Sequence, residues 1–176
     1  GTATEGRRRV MRFEPNATSA NIIGGFNGNS VTAGVAGATI AGGGANGLTN
    51  SVTDDYGVVG GGRDNQAGDG AGTTADMPYG TVSGGLGNTA SATFATVGGG
   101  HDNVASGNDA AVGGGHGNVA SGVEATVAGG LGNRASGATS AVGGGSSNVA
   151  SGLYSTVGGG VRDTASGDYA AIPGGN

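Results

Sequence analysis

Val82, Val97, Val112, Val127, Val142, Val157 and Ile172 fall at every fifteenth position without a break. A repeat this short cannot bury an apolar face by itself, so each unit must lie on the next. The surrounding phrase keeps the same phase. Six positions past each anchor come Asn88, Asn103, Asn118, Asn133 and Asn148, with Asp163 as the one variant. Eight past come Ala90, Ala105, Ala120, Ala135, Ala150 and Ala165, and nine past is always serine, from Ser91 to Ser166. Low bulk hydrophobicity would suit a disordered linker, but a linker needs no phase.

The phrase extends upstream with looser spacing. Ile23, Ile40 and Val59 precede Val82 at steps that overrun the repeat by two, four and eight positions. Candidate turn asparagines follow them at Asn29, Asn46 and Asn65. A solenoid accommodates such excess as loops bulging from a turn, because the rung beneath still stacks. The longest excess falls in 68–78, GDGAGTTADMP, whose composition suits an exposed loop.

Glycine makes up 45 of 176 residues, and cysteine and tryptophan are absent. Glycine at that density excludes a helical protein, its clustering excludes collagen, and a disulfide scaffold is impossible. Within one unit the pattern alternates with period two, as a strand requires. Ala95 and Val97 face one way and Thr96 the other, and the pairs Ala110/Val112, Ala125/Val127 and Ala170/Ile172 repeat this. A second strand centres on 103–106 with Ala105 inward. Glycine triplets and the Ser-Gly pair supply corners.

Each unit is therefore expected to form one coil of a parallel β-solenoid with two short strands. About ten rungs at roughly 4.8 Å give a rod on the order of 45 Å long. Val97, Val112, Val127, Val142, Val157 and Ile172 form one inward file, and Ala105, Ala120, Ala135 and Ala150 a second. The asparagines from Asn88 to Asn148 form a turn ladder. That core is thin against the backbone entropy of so long a coil. Val104, Val119 and Val149 point outward by alternation, which suggests a contact between chains.

Phrases such as Ala110-Ala111-Val112-Gly113 and Asn118-Val119-Ala120-Ser121-Gly122 resemble the head repeats of trimeric autotransporter adhesins, the YadA-like head. That resemblance covers 80–176 well and 20–79 loosely, with a 15-residue repeat in place of about 14 and an added Gly-Gly-Gly-x-x-Asn run. It implies a left-handed parallel β-roll in a side-by-side homotrimer, with Val104, Val119 and Val149 at the contact. It also implies an extracellular location at the cell surface, held to the outer membrane through regions outside this stretch. The same repeat style suits a phage or viral fibre.

Three segments result: 1–19 as a leading strand and cap, 20–79 as irregular coils, and 80–176 as the regular solenoid. Gly1 in place of an initiator Met reads as a mature form or a fragment. Arg7, Arg8, Arg9 and Arg12 read as part of the cap, with an anion or polysaccharide contact as the alternative. A net charge of −5 argues against nucleic acid as a partner, and no apolar run reaches the length of a membrane span.

Chemistry-bearing residues are few. His101 and His116 share one repeat position and stack one coil apart, where other coils carry Leu86, Leu131, Ser146 and Val161, so the position reads as tolerant surface. The serines are repeat residues and the acids scatter over turns, so no catalytic residue and no cofactor is assigned. The neutral asparagine ladder argues against calcium in the turns, and no metal ligand is assigned, although an ion in the 68–78 loop around Asp69 and Asp76 stays open. His101, Asp109, Glu124, Leu153 and Tyr154 give a mixed surface strip. The expected function is a non-enzymatic adhesin head or fibre module contacting matrix, glycan or cell surfaces. A passive spacer is the alternative. An ice-binding face is a further alternative, weakened because Thr81, Thr96, Thr126 and Thr156 are interrupted by Ala111, Ala141 and Ala171.

Overall fold

A short coil with two glycine-rich corners leaves room for strands of only two residues, such as Thr96–Val97 and Val104–Ala105. In the computed structural model, which describes residues 11–175, these strands stack into an all-β parallel solenoid of about ten coils. One sheet has 11 strands and the other 9, and from Asn21–Gly24 onward successive strands of the chain alternate between them. The register follows the repeat: Val97 pairs with Val82 and Val112, and Ala105 with Ala90 and Ala120. Upstream, Ile23 pairs with Ile40, Ile40 with Val59 and Val59 with Val82. The longer intervals are therefore absorbed outside the strands.

A third ladder runs along the rod besides the two sheets. Single parallel bridges link Arg63, Leu86, His101, His116, Leu131, Ser146 and Val161 in turn. Two strands per coil is thus an incomplete description. Four positions past the anchor the backbone pairs again: His101 N–H donates to the Gly115 carbonyl at 2.9 Å, while its own carbonyl accepts from Gly117 at 2.9 Å. From Arg63 to Val161, each coil has three hydrogen-bonded sides.

At the N-terminal end, Met11–Glu14 runs antiparallel to Asn21–Gly24, the next strand of the larger sheet. Arg12 pairs with Glu14 at 2.7 Å and donates from Nη2 to the Asn29 carbonyl at 3.2 Å. Arg7, Arg8 and Arg9 lie outside the described residues.

Between the sheets, Val97, Val112, Val127, Val142 and Val157 are buried in one file and Ala105, Ala120, Ala135 and Ala150 in another; Ile172 packs on the end, partly buried. The asparagines are equally buried. Asn118 is representative. Its Oδ1 accepts from the Asn133 N–H at 2.9 Å, and its Nδ2 donates to the Gly114 carbonyl at 2.8 Å and the Gly130 carbonyl at 2.9 Å. One side chain thus closes its own corner and clamps the next coil. The corner demands glycine: Gly100 sits at φ +90°, and a Cβ there would strike the Gly115 carbonyl oxygen.

In the second coil Asn50, not Asn46, occupies the ladder. Asn50 N–H donates to Asn29 Oδ1 at 3.0 Å and Asn50 Nδ2 donates to the Gly42 and Gly62 carbonyls, while Asn46 is exposed. The reason is a small turn in which Ala45 and Leu48 exchange hydrogen bonds of 2.9 and 3.0 Å, with Asn46-Gly47 at its tip. Sequence spacing alone does not distinguish a tip Asn-Gly from a ladder asparagine.

Replacing Asn118 by Leu leaves the Asn133 N–H and the Gly114 carbonyl unmatched at about 1–3 kcal/mol each, while the Gly130 carbonyl keeps the His116 N–H at 3.0 Å. The expected loss is about 3 kcal/mol or more. Val112→Ala, which leaves only a small cavity, should cost about 2 kcal/mol. Urea unfolding of both variants checks the order, and a smaller loss for Asn118→Leu would refute the clamp.

Candidate functional site

Surface chemistry concentrates where the second corner of each coil turns back toward the first sheet. Three positions before each anchor, the chain passes through the left-handed region at Tyr56, Tyr79, Phe94, Asp109, Glu124, Thr139, Tyr154 and Tyr169, with φ between 54° and 68°. For residues with a Cβ this conformation costs about 1–2 kcal/mol each. The preceding coil holds it in place: Tyr56 N–H donates to the Ala36 carbonyl at 2.8 Å, Asp109 to Thr93 at 2.9 Å and Tyr169 to Leu153 at 2.7 Å. The left-handed turn throws the side chain out of the coil, above the equivalent side chain of its neighbour.

Aromatic residues at that corner consequently stack. Tyr56 and Tyr79 lie 5.2 Å apart between ring centroids with 9° between planes, and Tyr79 and Phe94 lie 4.9 Å apart with 4°. Tyr154 and Tyr169 form a second stack at 5.2 Å. The first three rings remain 36%, 44% and 53% exposed. Asp109, Glu124 and Thr139 separate the two stacks, and Thr139 Oγ1 donates to Glu124 Oε2 at 3.2 Å. Sequence reasoning singles out Tyr154, Asp109 and Glu124 from this column but misses its aromatic continuity. The signal is present, since all five rings sit three positions before Val59, Val82, Val97, Val157 or Ile172.

On the corner carrying the third ladder, His101 and His116 stack at 4.6 Å with 14° between rings, and His101 Nε2 lies 3.2 Å from Asp102 Oδ2. These three residues come close enough to share an ion, but all are exposed. Val104, Val119 and Val149 are half-buried on the outer wall of the smaller sheet, while Thr96, Thr126 and Thr156 are exposed on that of the larger. Leu153 is also exposed.

The 68–78 loop makes a different arrangement. Coil stacking brings Asp54 of one turn beside Asp69 and Asp76 of the loop, and one oxygen from each lies within 4.8 Å of the others. Asp54 is only 1% exposed. Its Oδ2 accepts from Thr53 Oγ1 at 3.0 Å and from Asp69 N–H at 2.9 Å, whereas its Oδ1 has no hydrogen-bond donor. Thr53 Oγ1 also accepts from Gly70 N–H at 3.0 Å, and the Thr74 carbonyl accepts from Asp55 N–H at 2.6 Å. A shallow cleft lined by Thr32, Thr53, Gly70, Thr73 and Thr74 opens beside the cluster.

Burial pushes the Asp54 carboxyl above its ordinary value of 3.8, with the Asp69 and Asp76 charges adding to the rise, while its hydrogen bonds from Thr53 and Asp69 oppose it. Asp69 and Asp76 are legible in the sequence as an acidic loop. Asp54 is not, because it sits one coil earlier and its partnership with the loop is purely spatial.

No protein-family model matches the chain, and no curated protein matches it. Among the described residues no helix is long and apolar enough to cross a membrane.

The raised Asp54 value fixes a sign. Between 3.8 and its higher folded-state pKa the folded chain holds more proton than the unfolded chain, so this carboxyl's contribution is complete below 3.8 and lost as pH rises through the folded value. In chelator-treated buffer at pH 7, Asp54→Asn should increase amide protection across 68–78, and the gain should shrink as pH falls toward about 4. Hydrogen exchange read as protection factors measures both; a decrease at pH 7 would contradict the assignment.

Proposed function

We propose that this chain is a non-enzymatic attachment or fibre module, a left-handed YadA-like head segment in a side-by-side homotrimer, that presents its ridges to matrix, glycan or cell surfaces outside the cell. The observation that carries this reading is the column of exposed stacked rings, Tyr56–Tyr79–Phe94 and Tyr154–Tyr169. Contiguous apolar surface of this kind is characteristic of contact sites. Here each ring is held by a corner that costs conformational energy and makes no contribution to the core. Rigid aromatic side chains also contribute contact area at low entropic cost.

The trimer is supported by the narrow interior and by valine on the outer wall of the smaller sheet. Val104, Val119 and Val149 are half-buried in one chain, and side-by-side packing would remove the rest of their surface from water. Repetition of the aromatic column on three chains would multiply weak contacts through avidity. An ice-like lattice match is less well supported, because the outward threonine file of the larger sheet is interrupted by Ala111, Ala141 and Ala171.

Sedimentation equilibrium is expected to give a species three times the 16.2 kDa chain mass; a stable 16.2 kDa monomer would remove the trimer. Val119→Asp should dissociate it, since a charge would be buried at the contact, whereas Thr126→Asp should leave it intact. Retention of the assembled rod on matrix proteins, glycans and cells should fall at least about tenfold with Tyr79→Ser plus Phe94→Ser, roughly 1.4 kcal/mol. Retention equal to that of a charge-matched β-solenoid without the rings would favour a spacer.

A further inference from the structure

We propose that Asp54, Asp69 and Asp76 form a calcium site that fastens the 68–78 loop to the body of the solenoid. Three carboxylates from two turns converge, with one oxygen of each within 4.8 Å of the others. That span does not exceed two calcium–oxygen bonds of about 2.4 Å laid end to end. The described ion pairs, Arg12–Glu14 and His101–Asp102, lie elsewhere, so no described arginine neutralises this cluster, and the chain contains no lysine.

A second, independent observation is the state of Asp54. Its side chain is removed from solvent, and one of its two oxygens meets no donor. Buried carboxylate oxygens normally find a partner, because burial without one is costly. The neighbouring donors are already committed: Thr53 Oγ1 and Asp69 N–H serve the other oxygen, Ala71 N–H serves Asp69 at 2.8 Å, and Thr73 N–H serves Asp76 at 3.3 Å. A cation supplies what the orphaned oxygen lacks and offsets the mutual repulsion of the three groups.

All three ligands are carboxylate oxygens, which selects a hard cation over zinc or copper. Calcium accepts irregular sets of six to eight oxygens, whereas magnesium demands a near-ideal octahedron at about 2.0–2.1 Å. The threonine-lined cleft beside the cluster gives water access to complete the shell. The site lies only where the chain departs from its regular phase. In the regular coils from Val97 onward the position of Asp54 is held by glycine, as at Gly107, Gly122 and Gly137.

The site is independent of the attachment reading and is tested on the whole chain without any partner. Chelator-treated protein is titrated with calcium chloride by calorimetry, and its melting temperature and proteolysis within 68–78 are followed in parallel. One calcium per chain is expected, with a melting rise of about 2–8 °C at saturation and slower cleavage of the loop. The double variant Asp69→Asn plus Asp76→Asn, placed on the surface loop, should keep the parent circular dichroism and bind at least about tenfold more weakly. Asp54→Asn should also lose the response, yet melt no lower than the parent in chelator, which separates lost binding from lost folding. Absence of calcium uptake by the folded parent at about 5 mM, above the range of even weak extracellular calcium modules, would overturn the site. So would undiminished binding in the double variant, or magnesium competing as strongly as calcium.

Discussion

A buried primary amide carries one acceptor and two donors, and this solenoid gives each of them a partner on a different piece of backbone. Asn103 accepts from the N–H of Asn118, and donates to Gly99 in its own coil and Gly115 in the next. The interaction sets the register of both sheets, because a slip by one residue would put a neighbour, Gly117 or Val119 in the case of Asn118, where the amide must be. It also explains why the corner glycines are not interchangeable with other small residues. Asp163 shows the limit of the scheme: its N–H still donates to Asn148 Oδ1 at 2.9 Å, but its own buried Oδ2 finds no donor.

The remaining architecture follows from that clamp. Once the first corner is closed by glycine carbonyls and asparagine, only two residues are left to form each strand of the regular coils, so the apolar core there is a file of valine facing a file of alanine, with Ala95, Ala110 and Ala125 buried beside the valines. Such a core has little to offer beyond the ladder itself, and stability becomes a sum of coil-to-coil terms. The second corner shares one element with the first, where Asp64, Asp102, Ser147 and Arg162 are also left-handed, but it has no asparagine ladder. There the backbone is held in the left-handed region by an inter-coil hydrogen bond and tolerates Phe, Tyr, Asp, Glu or Thr.

Much of this is legible from spacing. The unbroken repeat interval specifies parallel stacking, and alternation identifies the inward face. What spacing does not show is how an insertion redistributes roles. Asn46 and Asn50 are both plausible ladder residues until the Ala45–Leu48 turn is seen to lift the first out of the coil. The third ladder is hidden because its positions hold Arg, Leu, His, Ser and Val, types with no common hydropathy, and it is maintained entirely by main-chain groups. The acidic cluster is half visible for a similar reason: Asp69 and Asp76 are close in sequence, but Asp54 joins them only through stacking.

The left-handed corner also separates two properties that most folds entangle. A residue there projects from the rod without contributing to its core, so one coil can carry Tyr and the next Asp while the valine file continues unchanged. Chemical groups are thereby set out along a line at the pitch of the coils, with centroid spacings of 4.9 to 5.2 Å where rings are adjacent. Such a rod behaves as a row of addressable positions, in which one letter can be rewritten at a time and the length of a matching word grows by adding coils.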